Sequence, residues 1–493
     1  MSKYILSIDA GTTGVTVVLY DRQAQVVRHE YGEFRQHYPQ PGWVEHDASE
    51  IWKVTLRLIR QASENIANDQ IAGIGITNQR ETTVLWDRNT GEPAANAIVW
   101  QCRRSQDQCE RLRNAGHTEL LARKSGLVPD AYFSGTKIQW LIENNENIAS
   151  RARAGELAFG TIDSWLIWNL SGGALHVTDF TNASRTLLFN IEEKTWDDEL
   201  LALMSVPDSL LPEVRKSSEV YGETEAGIFG GPVPICGIAG DQQAALFGQG
   251  GGTLNAAKNT YGTGCFFLVN TGGQRVHSRN GLVTTLATDT EGNPVYALEG
   301  SVFIAGAVVQ WLRDELKIIK SAPESEDLAA SVPDTGGVYL VPAFAGLGAP
   351  YWDMAARGGM VGITRGTGRA HITRAALESI AYQTRDLVDA VQQDLGIQLE
   401  ELRVDGGATA NNFLMQFQAD ILGIPVDRPA NIETTALGAG FLAGLGCGFW
   451  SAWDEIADNR KTERRFEPAM HDDRRDELFK GWKDAVARMG RAS

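Results

Sequence analysis

Apolar residues follow two rhythms along this chain, and the two alternate. Tyr4-Ile5-Leu6-Ser7-Ile8 is a short, nearly continuous apolar run that predicts a buried strand. It stops at Asp9; Gly11-Thr12-Thr13-Gly14 then predicts a tight turn and Val15 to Tyr20 the returning strand. Asp47 with Glu50 predicts a capping box before a helix carrying Ile51, Trp52, Leu56 and Ile59. Ile71 to Thr77 predicts the next buried strand. In the second half Leu377, Ile380, Ala381, Leu387, Val388, Val391 and Leu395 recur at helical spacing until Gly396 stops the run. Leu402 to Asp405 predicts a strand ended by Gly406-Gly407, followed by a helix through Phe413, Phe417 and Leu422. Alternation of this kind predicts α/β architecture.

Two glycine-rich stretches interrupt the pattern. Gly250-Gly251-Gly252, within Gln249 to Thr253, predicts a domain boundary near residue 250. Gly336 to Pro350 predicts a loop lying over a cleft. The longest uncharged stretch, Thr434 to Trp453, contains Gly440-Phe441-Leu442-Ala443-Gly444. A membrane helix needs stronger hydropathy than a stretch with five glycines provides, so a helix buried against another domain is the expectation. From Asp454 to Ser493 ten acidic and ten basic residues balance, and this tail reads as a pair of solvated helices.

Composition narrows the class. At 493 residues, two to four domains are expected. The net charge of −17 argues against a general binder of nucleic acid or of anionic membranes. Five cysteines without CxxC spacing suit a reduced, cytoplasmic protein, and the N-terminal apolar run is too short for a signal peptide.

The candidate chemistry lies at strand ends. In Asp9-Ala10-Gly11-Thr12-Thr13-Gly14 a carboxylate ends a buried strand before glycines and hydroxyls turn the chain back. Such a turn can aim N–H groups and Thr hydroxyls at phosphate while Asp9 holds hydrated Mg²⁺, or it can be a plain β-hairpin. Thr260-Tyr261-Gly262-Thr263-Gly264 and Asp405-Gly406-Gly407-Ala408-Thr409-Ala410-Asn411 are further turns of this kind. Three such turns in two halves suggest a nucleotide held between related domains, and GxxxxGK[ST] is absent. Gly438 to Ala443 fits GxGxxA but lacks a clear preceding strand, so close helix packing explains it better. Asp241 after Val233 to Ile238 is an N-cap by default, and a general base if it faces a substrate hydroxyl. Arg80 and Glu81 offer a donor and an acceptor to a polyhydroxyl ligand, or form a surface ion pair. Trp100 and Tyr132 are apolar walls or core aromatics.

Tyr132-Phe133-Ser134-Gly135-Thr136-Lys137-Ile138-Gln139-Trp140-Leu141, together with Gly358, Met360, Gly362, Ile363, His371, Ile372, Ala375, Leu377 and Glu378, resembles the signatures of the FGGY carbohydrate kinases, within the actin and sugar-kinase superfamily. Pro41 to Asp47, Asn78 to Thr83, Trp100 to Arg104, Gly240 to Gln249 and Lys258 to Phe266 resemble the glycerol-phosphorylating branch. The resemblance runs from about Tyr4 to Trp450. It implies two RNase-H-like (actin-like ATPase) domains with an interdomain cleft, spanning 1–250 and 251–453 ahead of a charged helical tail at 454–493.

The resemblance further implies ATP-dependent phosphorylation of glycerol to sn-glycerol 3-phosphate with Asp241 as general base. Arg80, Glu81, Tyr132, Asp241 and Gln242 would hold glycerol, with Trp100 and Phe266 against its carbons. Thr12, Thr13, Gly14, Thr263, Gly306, Gln310, Gly407 and Asn411 would contact ATP, and Asp9 and Asp241 would lie near Mg²⁺. It also suggests a homodimer. Two positions depart from the branch: Ala10 stands where Gln is usual, and Thr16 where an Arg leaves the turn. The Gly14-Val15 turn resembles xylulose-type members, which leaves a kinase for another polyol or ketose as an alternative. A catalytically impaired nucleotide-binding regulatory protein is the alternative from another class.

Overall fold

The computed structural model describes residues 3–353, 355–431, 433–457 and 460–490. Its first half is organised around a six-stranded sheet of β1 (Tyr4–Ala10), β2 (Gly14–Tyr20), β3 (Val26–Glu33), β4 (Ile71–Asn78), β5 (Ser218–Glu223) and β6 (Pro234–Gly240), in the order β5-β6-β4-β1-β2-β3. β1, β2 and β3 form an antiparallel meander, while β4 and β6 run parallel to β1. The second sheet contains β7 (Ala257–Tyr261), β8 (Cys265–Gly272), β9 (Val283–Thr288), β10 (Pro294–Val302), β11 (Leu402–Asp405), β12 (Val426–Pro429) and β13 (Thr462–Phe466), in the order β9-β10-β8-β7-β11-β12-β13. Here too an antiparallel meander continues into parallel strands, β11 beside β7 and β12 beside β11. The shared pattern is the RNase-H-like arrangement that the resemblance implies.

Helices cover the sheets. α1 (Ala48–Ala62) and α2 (Ile162–Leu170) bury Ile51, Leu58, Ile59, Trp165 and Leu166 in the first core. α3 (Asp241–Gly248) follows β6 directly, and α4 (Gly306–Asp314) follows β10 after a short loop. The second core is built on α5 (Arg369–Leu395) and α6 (Asn412–Leu422), with Leu377, Ile380, Leu387 and Val391 buried; Gly396, at φ 66°, closes α5 as expected. α7 (Thr434–Gly446) is the uncharged stretch. Ala436, Phe441 and Leu442 pack it against Ile5, Val18 and Tyr20 of the first sheet. Glycine permits the close approach: a Cβ at Gly438 would lie 1.8 Å from the Ala244 carbonyl oxygen of α3, and one at Gly75 2.1 Å from that of Ala439. No helix among the described residues is long and apolar enough to cross a membrane.

Three expectations change. Asp47 caps α1 by accepting from the N–H groups of Ser49 and Glu50, but the reciprocal half of the box is not made. Glu50 Oε1 instead accepts from the Arg35 N–H at 3.3 Å. Gly336 to Pro350 is not a bare loop over the cleft. It carries a strand, Tyr339–Val341, paired with Gly359–Val361, and its Leu340, Val341 and Ala343 lie in the second core. The tail is not a pair of solvated helices: β13 extends the second sheet, and α8 (Asp472–Met489) buries Trp482. Residues 458, 459 and 491–493 of that tail lie outside the described residues.

Candidate active site

Register decides where the chemistry gathers. Asp9 and Ala10 pair with Thr77 and Asn78, and Asn78 pairs in turn with Gly240. The carboxyl ends of β1, β4 and β6 therefore lie side by side. The residues that follow them (the Gly11–Gly14 turn, Arg80 with Glu81, and Asp241 at the start of α3) share one edge of the first sheet, the usual place for ligands in sheets with parallel strands. In the second sheet Thr260 pairs with Asp405, which aligns the Tyr261–Gly264 turn with Gly406-Gly407.

Two cavities occupy these edges. The first, of about 270 Å³, is lined by Thr12, Thr13, Arg80, Glu81, Trp100, Tyr132, Asp241, Gln242, Thr263 and Phe266, among others. It brings together every residue expected to hold a polyol. Trp100 meets Tyr132 and Phe266 edge-on, with ring centroids 5.6 and 6.0 Å apart, and its indole N–H donates to Thr12 Oγ1 at 3.0 Å. The aromatic wall is thereby tied to the phosphate-type turn. The second cavity, of about 370 Å³, is lined by Thr263, Gly306, Gln310, Gly407 and Asn411 on its polar side and by Val309, Leu377, Ile380 and Leu414 on its apolar side. Thr263 belongs to both.

Glycine shapes the second cavity. Gly406 has φ 89°, and a Cβ there would meet the Tyr261 carbonyl oxygen at 2.6 Å, whereas a Cβ at Gly407 would meet nothing within 4 Å. The Gly407 backbone is thus presented to open space. Asn411 caps α6 by accepting from the Leu414 N–H at 2.9 Å. Gly14 lines neither cavity and stands in β2 with its Cα against Tyr31.

Electrostatics concentrates beneath the first cavity. Arg80 Nη1 and Nη2 donate to Glu299 at 2.6 and 3.0 Å, and Arg80 Nε lies 3.2 Å from Asp241 Oδ1. Arg185 Nε donates to Glu81 Oε1 at 2.6 Å, and its Nη2 donates to Glu299 Oε1 at 2.9 Å. Burial works against the Glu299 charge, yet Arg185 and Arg80 bring its carboxyl down to about 2. Glu81 holds its place at φ 61°, a left-handed conformation that costs a non-glycine residue about 1–2 kcal/mol. Desolvation lifts the Asp241 carboxyl above its ordinary range, and the Arg80 and Lys258 charges only partly offset it. Burial also raises Asp9 well above its ordinary range, and the charges of Asp241 and Glu433 raise it further.

Several contributors escaped the sequence reading. Glu299 and Arg185 complete the charge cluster. Lys258, on the second sheet, donates from Nζ to Gln242 Oε1, and burial lowers its ammonium to about 8. Thr181 Oγ1 accepts from the Gly240 N–H at 2.9 Å while donating to the buried Asp179, which fixes the backbone just before Asp241. The repeated strand-ending carboxylates were a usable signal for Asp179, and the small polar residues Thr181, Asn182 and Ser184 just after it were another.

Residues 4–248 match the N-terminal domain of the FGGY family of carbohydrate kinases, and residues 257–447 match its C-terminal domain. A glycerol kinase of Carboxydothermus hydrogenoformans is 60% identical over 489 residues, covering 99% of this chain and 98% of that one. One from Caldanaerobacter subterraneus is 59% identical over 490 residues, covering 99% of each. Among solved structures, the glycerol kinase of Plasmodium falciparum with ADP superposes with a TM-score of 0.92 at 38% identity, covering 99% of this chain and 98% of that one.

Proposed function

The chain belongs to the FGGY family of carbohydrate kinases, and we propose that it transfers the γ-phosphoryl group of ATP to glycerol, giving sn-glycerol 3-phosphate, with Asp241 as the general base. One observation carries the site assignment. The Asp241 carboxylate, 28% exposed, faces a cavity sized for a small triol, and that cavity meets a second one at Thr263. The relatives named above are glycerol kinases, and the Plasmodium structure was solved with ADP.

In this reading Arg80, Glu81, Tyr132, Asp241 and Gln242 hold the hydroxyls, and matched donors and acceptors penalise a ligand that lacks one. Trp100 and Phe266 cover the carbons. Thr12, Thr13, Thr263, Gly306, Gln310, Gly407 and Asn411 contact the nucleotide, with Gly14 contributing only through the backbone of its turn. Asp241 accepts the proton of the attacking hydroxyl. Its carboxyl, held above the ordinary aspartate range, is a better proton acceptor than a fully solvated one. Asp9 and Asp241 are the carboxylates that would hold a divalent cation: burial, and then the negative charges of Asp241 and Glu433, raise the Asp9 carboxyl, a cost that a bound cation would relieve. When bound, Mg²⁺ would neutralise charge on the phosphates. Phosphoryl transfer needs alignment and charge stabilisation more than covalent chemistry, which suits a site built from backbone turns and a single base. A cytoplasmic setting is part of the proposal, supported by five free cysteines, four of them buried.

Coupled ADP release with Mg²⁺-ATP tests this across glycerol, dihydroxyacetone, erythritol and xylulose, beside Asp241→Asn. Glycerol-dependent release is expected, with kcat about 10²–10⁴-fold lower in the variant. Activity with another polyol alone would keep the mechanism and change the substrate, whereas release indifferent to every polyol would overturn the reading.

A further inference from the structure

Glu299 is a carboxylate that the polyol side of the cleft receives from the opposite sheet. It sits on β10 with no exposed surface, yet its guanidinium partners, Arg80 and Arg185, belong to the first half of the chain. Without it, two buried guanidiniums would share Glu81 and the partly exposed Asp241. The two terminal nitrogens of Arg80 are hydrogen-bonded, Nη1 to Glu299 and Gln243 and Nη2 to Glu299 and Tyr132, while Nε lies 3.2 Å from Asp241 Oδ1 without a hydrogen bond. From the second sheet, the Glu299 carboxylate takes one N–H from each terminal nitrogen of that guanidinium, a two-point contact that helps fix its plane.

The same strand leads to the nucleotide side. Just beyond the end of β10, the N–H groups of Ala305 and Gly306 donate to the carbonyls of Thr263 and Gly262 at 2.8 and 2.9 Å. Gly306 then opens α4 and lines the second cavity. A short span of main chain thus joins the ion cluster under one cavity to the turn shared by both. A polyol gripped by Arg80 and a nucleotide gripped by the second-sheet turns favour the same separation of the two sheets.

We propose that Glu299 is a positioning residue through which occupancy of the polyol cavity and occupancy of the nucleotide cavity strengthen one another. The inference rests on the reading of the cleft given above, and linkage requires the effect to be reciprocal. Calorimetric titration of glycerol, with and without a non-hydrolysable ATP analogue and Mg²⁺, tests it in the full chain and in Glu299→Gln. In the unaltered chain the analogue tightens glycerol by about 5-fold or more. In Glu299→Gln that ratio falls to near one while the analogue alone still binds, a pattern that general destabilisation does not produce. Should Glu299→Gln fail to fold, Arg185→Lys, which keeps the charge but loses the fork shared by Glu81 and Glu299, is expected to lower the same ratio. A ratio that survives in a folded variant overturns the inference, as does an unaltered chain whose glycerol affinity ignores the analogue. An unaltered chain that binds no glycerol overturns the reading of the cleft as well, so the two failures are distinguishable.

Discussion

Thr16 pairs directly with Asp9 across the β1–β2 hairpin, and Tyr31 pairs with Thr16 from the other side. Directly opposed residues on antiparallel strands point to the same face, with Cβ atoms about 5 Å apart. A side chain at position 16 therefore emerges beside the carboxylate assigned to the metal, and in this chain it brings no positive charge. Thr16→Arg would place a cation on the phosphate side of the turn. The Michaelis constant for ATP is expected to fall several-fold in steady-state kinetics, and an unchanged or higher value would count against that assignment.

The crossing of α3 and α7 depends on glycines on both helices, Gly248 and Gly438. A Cβ at Gly438 would lie 1.8 Å from a main-chain oxygen of α3, which has no rotamer to yield, whereas one at Gly440 meets side chains alone, the Tyr20 ring at 3.2 Å and Ile5 at 3.7 Å. Gly438→Ala should cost about 2–3 kcal/mol through overpacking. It should also lower kcat, because α3 begins at Asp241. Gly440→Ala is the control, and equal melting temperatures for the two variants would refute the account.

His46 is locked in its neutral form. Its Nε2 lies 2.6 Å from Gln36 Oε1, while Gln36 Nε2 donates to the Thr12 carbonyl at 2.9 Å and Gln79 Nε2 approaches His46 Nδ1 at 3.4 Å. Burial, with a smaller effect of the His37 charge, lowers its pKa to about 3, and burial lowers His176 to about 4. Both folded values lie below that of an unfolded histidine, so the unfolded chain takes up protons first as the pH falls. The stability they contribute is complete above about pH 6.5 and is lost progressively below it, at about 1.4 kcal/mol per pH unit for each. His46→Gln should be less stable than the unaltered chain at pH 8, with the gap in melting temperature narrowing toward pH 5. Parallel curves would exclude this.

The C-terminal helix is structural. Trp482 is fully buried, donates from Nε1 to Asp386 Oδ2 at 2.8 Å and stacks on Tyr382 with centroids 5.5 Å apart. Trp482→Ala is expected to cost about 3–5 kcal/mol. Denaturant unfolding measures this directly, and a loss under 1 kcal/mol would restore the picture of a solvated tail.

The features legible in the sequence were those with a local signature. The strand-turn-strand at Tyr4 to Tyr20, the strand at Ile71 to Thr77 and the helix stopped by Gly396 each follow from periodicity and turn chemistry over a few residues. The polyol cavity was legible only through resemblance, since Arg80, Trp100, Tyr132, Asp241 and Phe266 converge from separate elements. Glu299 stayed hidden because an acidic residue within a strand has no pattern of its own, and its partner Arg80 is 219 positions away. The tail was misread because balanced charge says nothing of Trp482 on the inner face of α8 or of the strand that β13 adds. Glu50 left its capping box for an Arg35 N–H that only the tertiary fold supplies.

The packing of α7 on the first sheet also has a temporal side. Synthesis runs from the N-terminal side, so β1, β2, β4 and β6 are complete long before Thr434 leaves the ribosome's exit tunnel. Until then Ile5, Val18 and Tyr20 lack Phe441 and Leu442, and the Ser7 hydroxyl lacks the Ala436 carbonyl to which it donates at 2.6 Å. The nascent first half must therefore wait with one face of its sheet uncovered, a stage at which aggregation is the competing fate. Final closure of that face belongs to the last part of synthesis.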